Sequence, residues 1–137
     1  MKRREFIALA TIASVVPFSV SAKGFVDYTP GLAQKALAEG KTVFLDFSAT
    51  WCSTCAAQER VMTKLRADNP DYDANITFIK VDWDDHGNGD LSNALKIPRR
   101  STLVVLKGDK ELGRIVAGTS NKQIKALMDV ALSAATA

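Results

Sequence analysis

Histidine occurs once in the 137 residues, at His86, and cysteine twice, at Cys52 and Cys55. A closed four-ligand zinc site would therefore have to recruit carboxylates. Attachment of c-type haem is excluded, because the residue after the second cysteine is Ala56 and not His. No Gly-rich phosphate loop is present, no block recurs at a fixed period and no low-complexity run appears. Basic residues form no stripe of the kind a nucleic-acid binder needs. With 47% hydrophobic residues, 24% charged residues and only 8 Gly and 4 Pro, the composition is that of one compact globular domain. The acidic stretch from Asp82 to Asp90 has oxygen ligands at positions one, three and nine of a calcium loop and Gly87 at six. Position twelve is Asn93, which cannot supply a bidentate carboxylate, so the stretch is read as a solvated turn. Neither a metal site nor a cofactor is expected.

The N-terminus stands apart. Met1 to Glu5 form a basic n-region, and Phe6 to Val20 an apolar run that ends near small residues. Fifteen residues interrupted by Pro17 fall short of the ~20 that span a bilayer as a helix, which argues against an uncleaved anchor. A removable signal over residues 1–22, cleaved after Ala22, is the reading, with the mature domain at residues 23–137. Arg3-Arg4-Glu5-Phe6-Ile7 resembles a twin-arginine export signal but departs from its pattern at Lys2, and a basic n-region also serves the general secretory route. Removing residues 1–22 leaves 15 basic against 14 acidic side chains, net +1, so the excess of positive charge belongs mostly to the leader. Export to the periplasm follows as the expected localisation.

In the mature chain, Thr29-Pro30-Gly31 before Leu32, Ala33, Ala36 and Leu37 predicts a short helix with Thr29 as N-cap and Pro30 at its first position. Thr42 to Phe47 is an apolar run of strand length, broken only by Asp46, and suits a strand covered on both faces. From Cys52, apolar residues recur at helical spacing as far as Leu65, and Asn69-Pro70 closes the segment. Ile76 to Val81 is a second β-rich run, giving a strand, helix, strand unit and a parallel pair. A polar loop from Asp84 and a helical piece around Leu91 to Leu95 precede Thr102–Leu106 and Leu112–Ala117, which flank the hairpin signal Lys107-Gly108-Asp109-Lys110. Ser120 and Gln123 have capping-box spacing before a final amphipathic helix. The expected fold class is α/β, a central mixed sheet flanked by helices.

Two cysteines three apart on a helix's first turn sit at the roughly 5 to 6 Å Cα separation a disulfide requires. A structural bridge is one reading, but so small a loop is worth only about 2 kcal/mol at best. A redox pair is the other. The helix N-terminus offers unpaired N–H groups and a positive dipole end to a thiolate on Cys52, and thiols so placed have pKa values lowered to roughly 3.5 to 7.5. Cys52 would then attack and Cys55 resolve. Asp46 lies on the strand face opposite Val43, Leu45 and Phe47, where apolar surroundings raise a carboxyl pKa and let it accept the Cys55 proton. Alternatively it is a strand-end acid with access to water.

Phe44 to Cys55, with an acid six residues before the first cysteine and Trp51 immediately before it, resembles the signature of the thioredoxin superfamily. The likeness extends over roughly residues 30 to 135, since element order agrees as well. It implies the thioredoxin fold, thiol:disulfide oxidoreductase activity and a cis-proline facing the dithiol after an apolar residue, a place Ile97-Pro98 matches. The chain departs just afterwards: Arg99-Arg100-Ser101 intervene before Thr102, so either the loop is longer or the strand begins differently. If Pro98 faces Cys52, Arg99 and Arg100 lie near the rim, favouring a thiolate or an acidic partner surface; otherwise they belong to a solvated loop. Trp51 and Ile97 complete the expected client-contacting set. The expected partners are disulfide-containing client proteins and an electron donor in the inner membrane, with the chain acting as a monomer. A dithiol delivering a soft metal such as Cu(I) is the alternative function, and it has neither a Met-rich tract nor an adjacent His to support it.

Overall fold

The computed structural model describes residues 25–137. The signal read at residues 1–22, and its cleavage point, lie outside the described residues. In chain order the elements are β1 (Val26–Asp27), α1 (Leu32–Ala38), β2 (Thr42–Ser48), α2 (Ser53–Asp68), α3 (Asp71–Asn75), β3 (Thr77–Asp82), α4 (Trp83–His86), α5 (Asp90–Ala94), β4 (Thr102–Lys107), β5 (Lys110–Val116) and α6 (Asn121–Ala135). The sheet order is β1-β3-β2-β4-β5. β1 and β2 run parallel to β3, while β4 is antiparallel to β2 and β5 to β4.

β2 is central and buried along its whole length. Successive side chains of a strand point to opposite faces. Val43, Leu45 and Phe47 thus enter a core shared with Ile79, Val104 and Ala33 of α1. Phe44 enters the second core, with Phe78, Leu103, Met62 of α2, and Ile124 and Met128 of α6. Each such large apolar side chain contributes roughly 1.5–3 kcal/mol on burial. Asp46 shares the Phe44 face, so its carboxylate stands where an apolar residue would stabilise the fold.

Local chemistry sets the element ends. α1 starts at Leu32 rather than at Pro30, because Gly31 adopts a left-handed backbone (φ 91°) that a helix cannot pass through. The Ser120 side chain accepts the Gln123 N–H at 3.2 Å and caps α6. β4 and β5 shift register between Val105 and Leu106, and Gly113 lies where a Cβ would come within 2.9 Å of Leu127 on α6. Arg66, near the end of α2, is 8% exposed. Its guanidinium carbon lies 4.8 Å and 4.2 Å from the Phe25 and Phe78 ring centroids, and its Nε donates to Asp73 at 2.6 Å. The positive charge is thus held against two aromatic faces and a carboxylate.

Candidate active site

The turn between β2 and α2 brings the sheet's central strand to the dithiol. Cys52 is the N-cap of α2, and its Sγ accepts the Cys55 N–H at 3.1 Å. Side-chain oxygen normally fills this position. With sulfur there, the free amides and dipole of the first turn act on the atom that must carry negative charge. Cys52 and Cys55 are disulfide-bonded, with Cα atoms 5.2 Å apart. Cys55 is 1% exposed, while Cys52 lines a cleft of about 590 Å³ together with Ala49, Glu59, Lys80 and His86. Cys52, itself only 4% exposed, meets the cleft, and Cys55 lies one turn further in.

Asp46 is fully buried, and neither carboxylate oxygen has a hydrogen-bond partner among the described residues. Burial raises its pKa from 3.8 to about 7; attraction to Lys80 opposes that rise and repulsion from Glu59 adds to it. Lys80 Nζ pairs with Glu59 at 3.1 Å. Near neutral pH such a carboxyl divides between its two forms, as a group that both takes and returns a proton must.

Ser101, the residue before β4, is the third group at the sulfurs: its Oγ lies 3.1 Å from Cys52 Sγ and 3.1 Å from Cys55 Sγ. It is 0% exposed and has a left-handed backbone (φ 64°). Its N–H donates to the Phe47 carbonyl at 2.7 Å, and its carbonyl accepts the Ala117 N–H at 2.8 Å. Gln58 of α2, itself buried, donates its side-chain amide to the carbonyls of Ser101 and Gly118, each at 2.9 Å.

The thioredoxin family's sequence model matches residues 28–130. The chain belongs to the thioredoxin family. It is 33% identical to an H-type thioredoxin of Fagopyrum esculentum over 65% of this chain and 72% of that one. It is 32% identical to thioredoxin-1 of Saccharomyces cerevisiae over 59% and 73% of the two chains. Among solved structures it resembles Trxlp of Edwardsiella tarda with a TM-score of 0.64 and 28% identity, covering 74% of this chain and 97% of that one. The five-stranded mixed sheet is accordingly a thioredoxin fold, and the chain is a thiol:disulfide oxidoreductase acting through Cys52-Ser53-Thr54-Cys55.

Within this thioredoxin site the residues expected from sequence fall in different places. Pro98 is not the residue against the dithiol. It is solvent-exposed, no peptide bond among the described residues is cis, and Ser101 occupies the place. The reason is the interposed Arg99 and Arg100: β4 begins at Thr102, and the residue next to its start is the one carried to the sulfurs. Ile97 is also corrected as a client contact, since its side chain is 8% exposed and packs in the core with Leu91 and Leu95. Trp51 is 60% exposed beside Cys52 and donates its Nε1 to Asp84 at 3.0–3.1 Å. The Arg100 guanidinium carbon lies 4.5 Å from the Trp51 ring centroid, which brings Arg100 to the rim. Arg99 instead turns back, its Nε donating to the Arg100 carbonyl at 3.0 Å. Ser101 and Gln58 were not legible as site residues. The available signal was Thr102: counting back from the strand start reaches Ser101, whereas counting forward from Leu95 reaches Pro98.

Proposed function

We propose that this thioredoxin is an exported, monomeric reductase of client proteins. Reduced Cys52, as thiolate, attacks one sulfur of a client disulfide; that S–S bond breaks, a mixed disulfide forms, and the first client sulfur leaves as thiolate. Cys55 gives its proton to Asp46 and attacks Cys52 Sγ, releasing the second client sulfur as thiolate. The client gains two electrons, and the new Cys52–Cys55 disulfide is returned to dithiol by a donor at the inner membrane. Trp51 and Arg100 supply the rim against which the client polypeptide docks.

The reductase direction is supported by the Ser53-Thr54 dipeptide, which lacks the histidine whose protonated ring would stabilise the reduced thiolate and make the couple oxidising. Asp46, a buried acid without a hydrogen-bond partner among the described residues and with its pKa raised to about 7, supplies a proton acceptor on the strand that leads to the dithiol turn. Export is supported by the basic n-region, the short apolar run and the small residues at Val20-Ser21-Ala22.

Equilibration of residues 23–137 against a glutathione series, read by alkylation of free thiols, tests the direction. A potential near that of thioredoxin, about -270 mV, is expected, and a value near about -120 mV would make the protein a disulfide donor instead. Sequencing the N-terminus of protein recovered from the periplasm tests export. Lys23 is expected as the first residue, and full-length chain confined to the cytoplasm overturns this half of the reading.

A further inference from the structure

The Ser101 hydroxyl is buried, and its polar contacts among the described residues are the two reacting sulfurs. Its backbone lies in a region that a Cβ disfavours. The conformation persists because Phe47, Ala117 and Gln58 hold its N–H and carbonyl from three directions. A strained residue so firmly held beside reacting atoms points to a role in the chemistry. Proline, with no N–H and φ near -65°, could not take this conformation or make the Phe47 bond. The hydroxyl also offers what a proline ring lacks, a donor.

We propose that Ser101 is a third catalytic residue of the dithiol, its hydroxyl donating to the Cys52 thiolate in the reduced enzyme. The thiolate then has two donors, the Cys55 N–H and the Ser101 O–H, both 3.1 Å from its sulfur in the disulfide form. Once Cys52 is in the mixed disulfide it carries no charge, and the same hydroxyl turns to Cys55 Sγ, also at 3.1 Å, as that sulfur loses its proton. One hydroxyl thus serves each thiolate in turn. Hydrogen bonds to charged acceptors are about twice as strong as neutral ones, so the reduced form gains more from Ser101 than the disulfide does. The inference rests on thiol:disulfide exchange itself and is independent of the direction in which electrons flow.

Ser101→Ala and Ser101→Gly both delete the hydroxyl, but only glycine relaxes the backbone. The pH dependence of Cys52 alkylation in the reduced protein reads the thiolate directly, with no client present. In both variants the Cys52 pKa should rise by about one to two units, the size of a lost charged hydrogen bond. The potential should fall by up to about 60 mV, about 30 mV for each tenfold change in the redox equilibrium constant. If alanine does not fold, glycine, which suits φ 64°, carries the test alone. Unchanged thiolate titration in the variants overturns the proposal. So does a shift in alanine that glycine lacks, because the effect would then come from strain and not from the hydroxyl.

Discussion

Cys55→Ser, reduced and mixed with a disulfide-containing client, should stop at a covalent adduct through Cys52, seen as a client-sized mass increase that a reductant removes. Cys52→Ser should form no adduct and show no exchange above that of solvent thiols. The asymmetry follows from position. The two sulfurs are both buried (4% and 1% exposed), but Cys52 caps α2, lines the cleft and receives the first-turn amides, whereas Cys55 lies one turn further in. Deleting Cys55 leaves the attacking group intact and removes the one that completes the reaction. The bridge closes a very small loop, worth about 2 kcal/mol at best, so loss of activity will not reflect loss of fold. An adduct through Cys55 in the Cys52→Ser protein would reverse the assignment of roles.

Asp46→Asn should make the protein more stable and a poorer catalyst. The free carboxyl titrates near 3.8, the buried one near 7. Below about pH 4 the group is protonated in both folded and unfolded chains and stability does not depend on it. Between pH 4 and 7 the unfolded chain ionises first, so stability falls as pH rises through this window. Above pH 7 folding must bury a full charge. At ~1.36 kcal/mol per pKa unit the shift amounts to about 4 kcal/mol. Denaturation at pH 8 should therefore show Asp46→Asn more stable by up to about 4 kcal/mol, with the gain vanishing at pH 4. Resolution of the mixed disulfide should slow by about 10²-fold at neutral pH, the lower end of what a positioned proton acceptor supplies. Stability curves for the two proteins that run parallel from pH 4 to 8 would mean that Asp46 is ionised or solvated in the same way in both states. Unchanged exchange kinetics would remove it from the mechanism.

Most of the fold could be read from the chain because its principal elements carry strong patterns. Thr42 to Phe47, apolar but for Asp46 and of strand length, suits a covered strand, and the helix from Ser53 to Asp68 shows helical spacing up to the Asn69-Pro70 stop. What escaped is short or depends on distant contacts. β1 is two residues long and exists through its pairing with Ile79 and Lys80, far along the chain. α3 and α4 are five and four residues, too short for a period to show. At the site, Cys52 and Cys55 were legible through residue type and spacing, and Asp46 stood out as the one acid in an apolar strand. Ser101 was not, since a serine carries no signature of its own and its role arises from strand pairing and the hold of Gln58. Pro98 is conspicuous as a residue type, but the interposed Arg99 and Arg100 leave Ser101 beside the sulfurs at the start of β4.

Both tryptophans of the chain flank the dithiol. Trp51 is exposed immediately before Cys52, and Trp83 packs against the Cys52, Cys55 and Ala49 cluster. The core beneath α2 and α6 contains phenylalanine and tyrosine but no tryptophan. Intrinsic emission is therefore a one-sided optical probe. Tryptophan emission reports the redox state through two emitters close to the sulfurs, and it is blind to loosening of the α2–α6 layer, which must be followed through Tyr72 by near-ultraviolet circular dichroism.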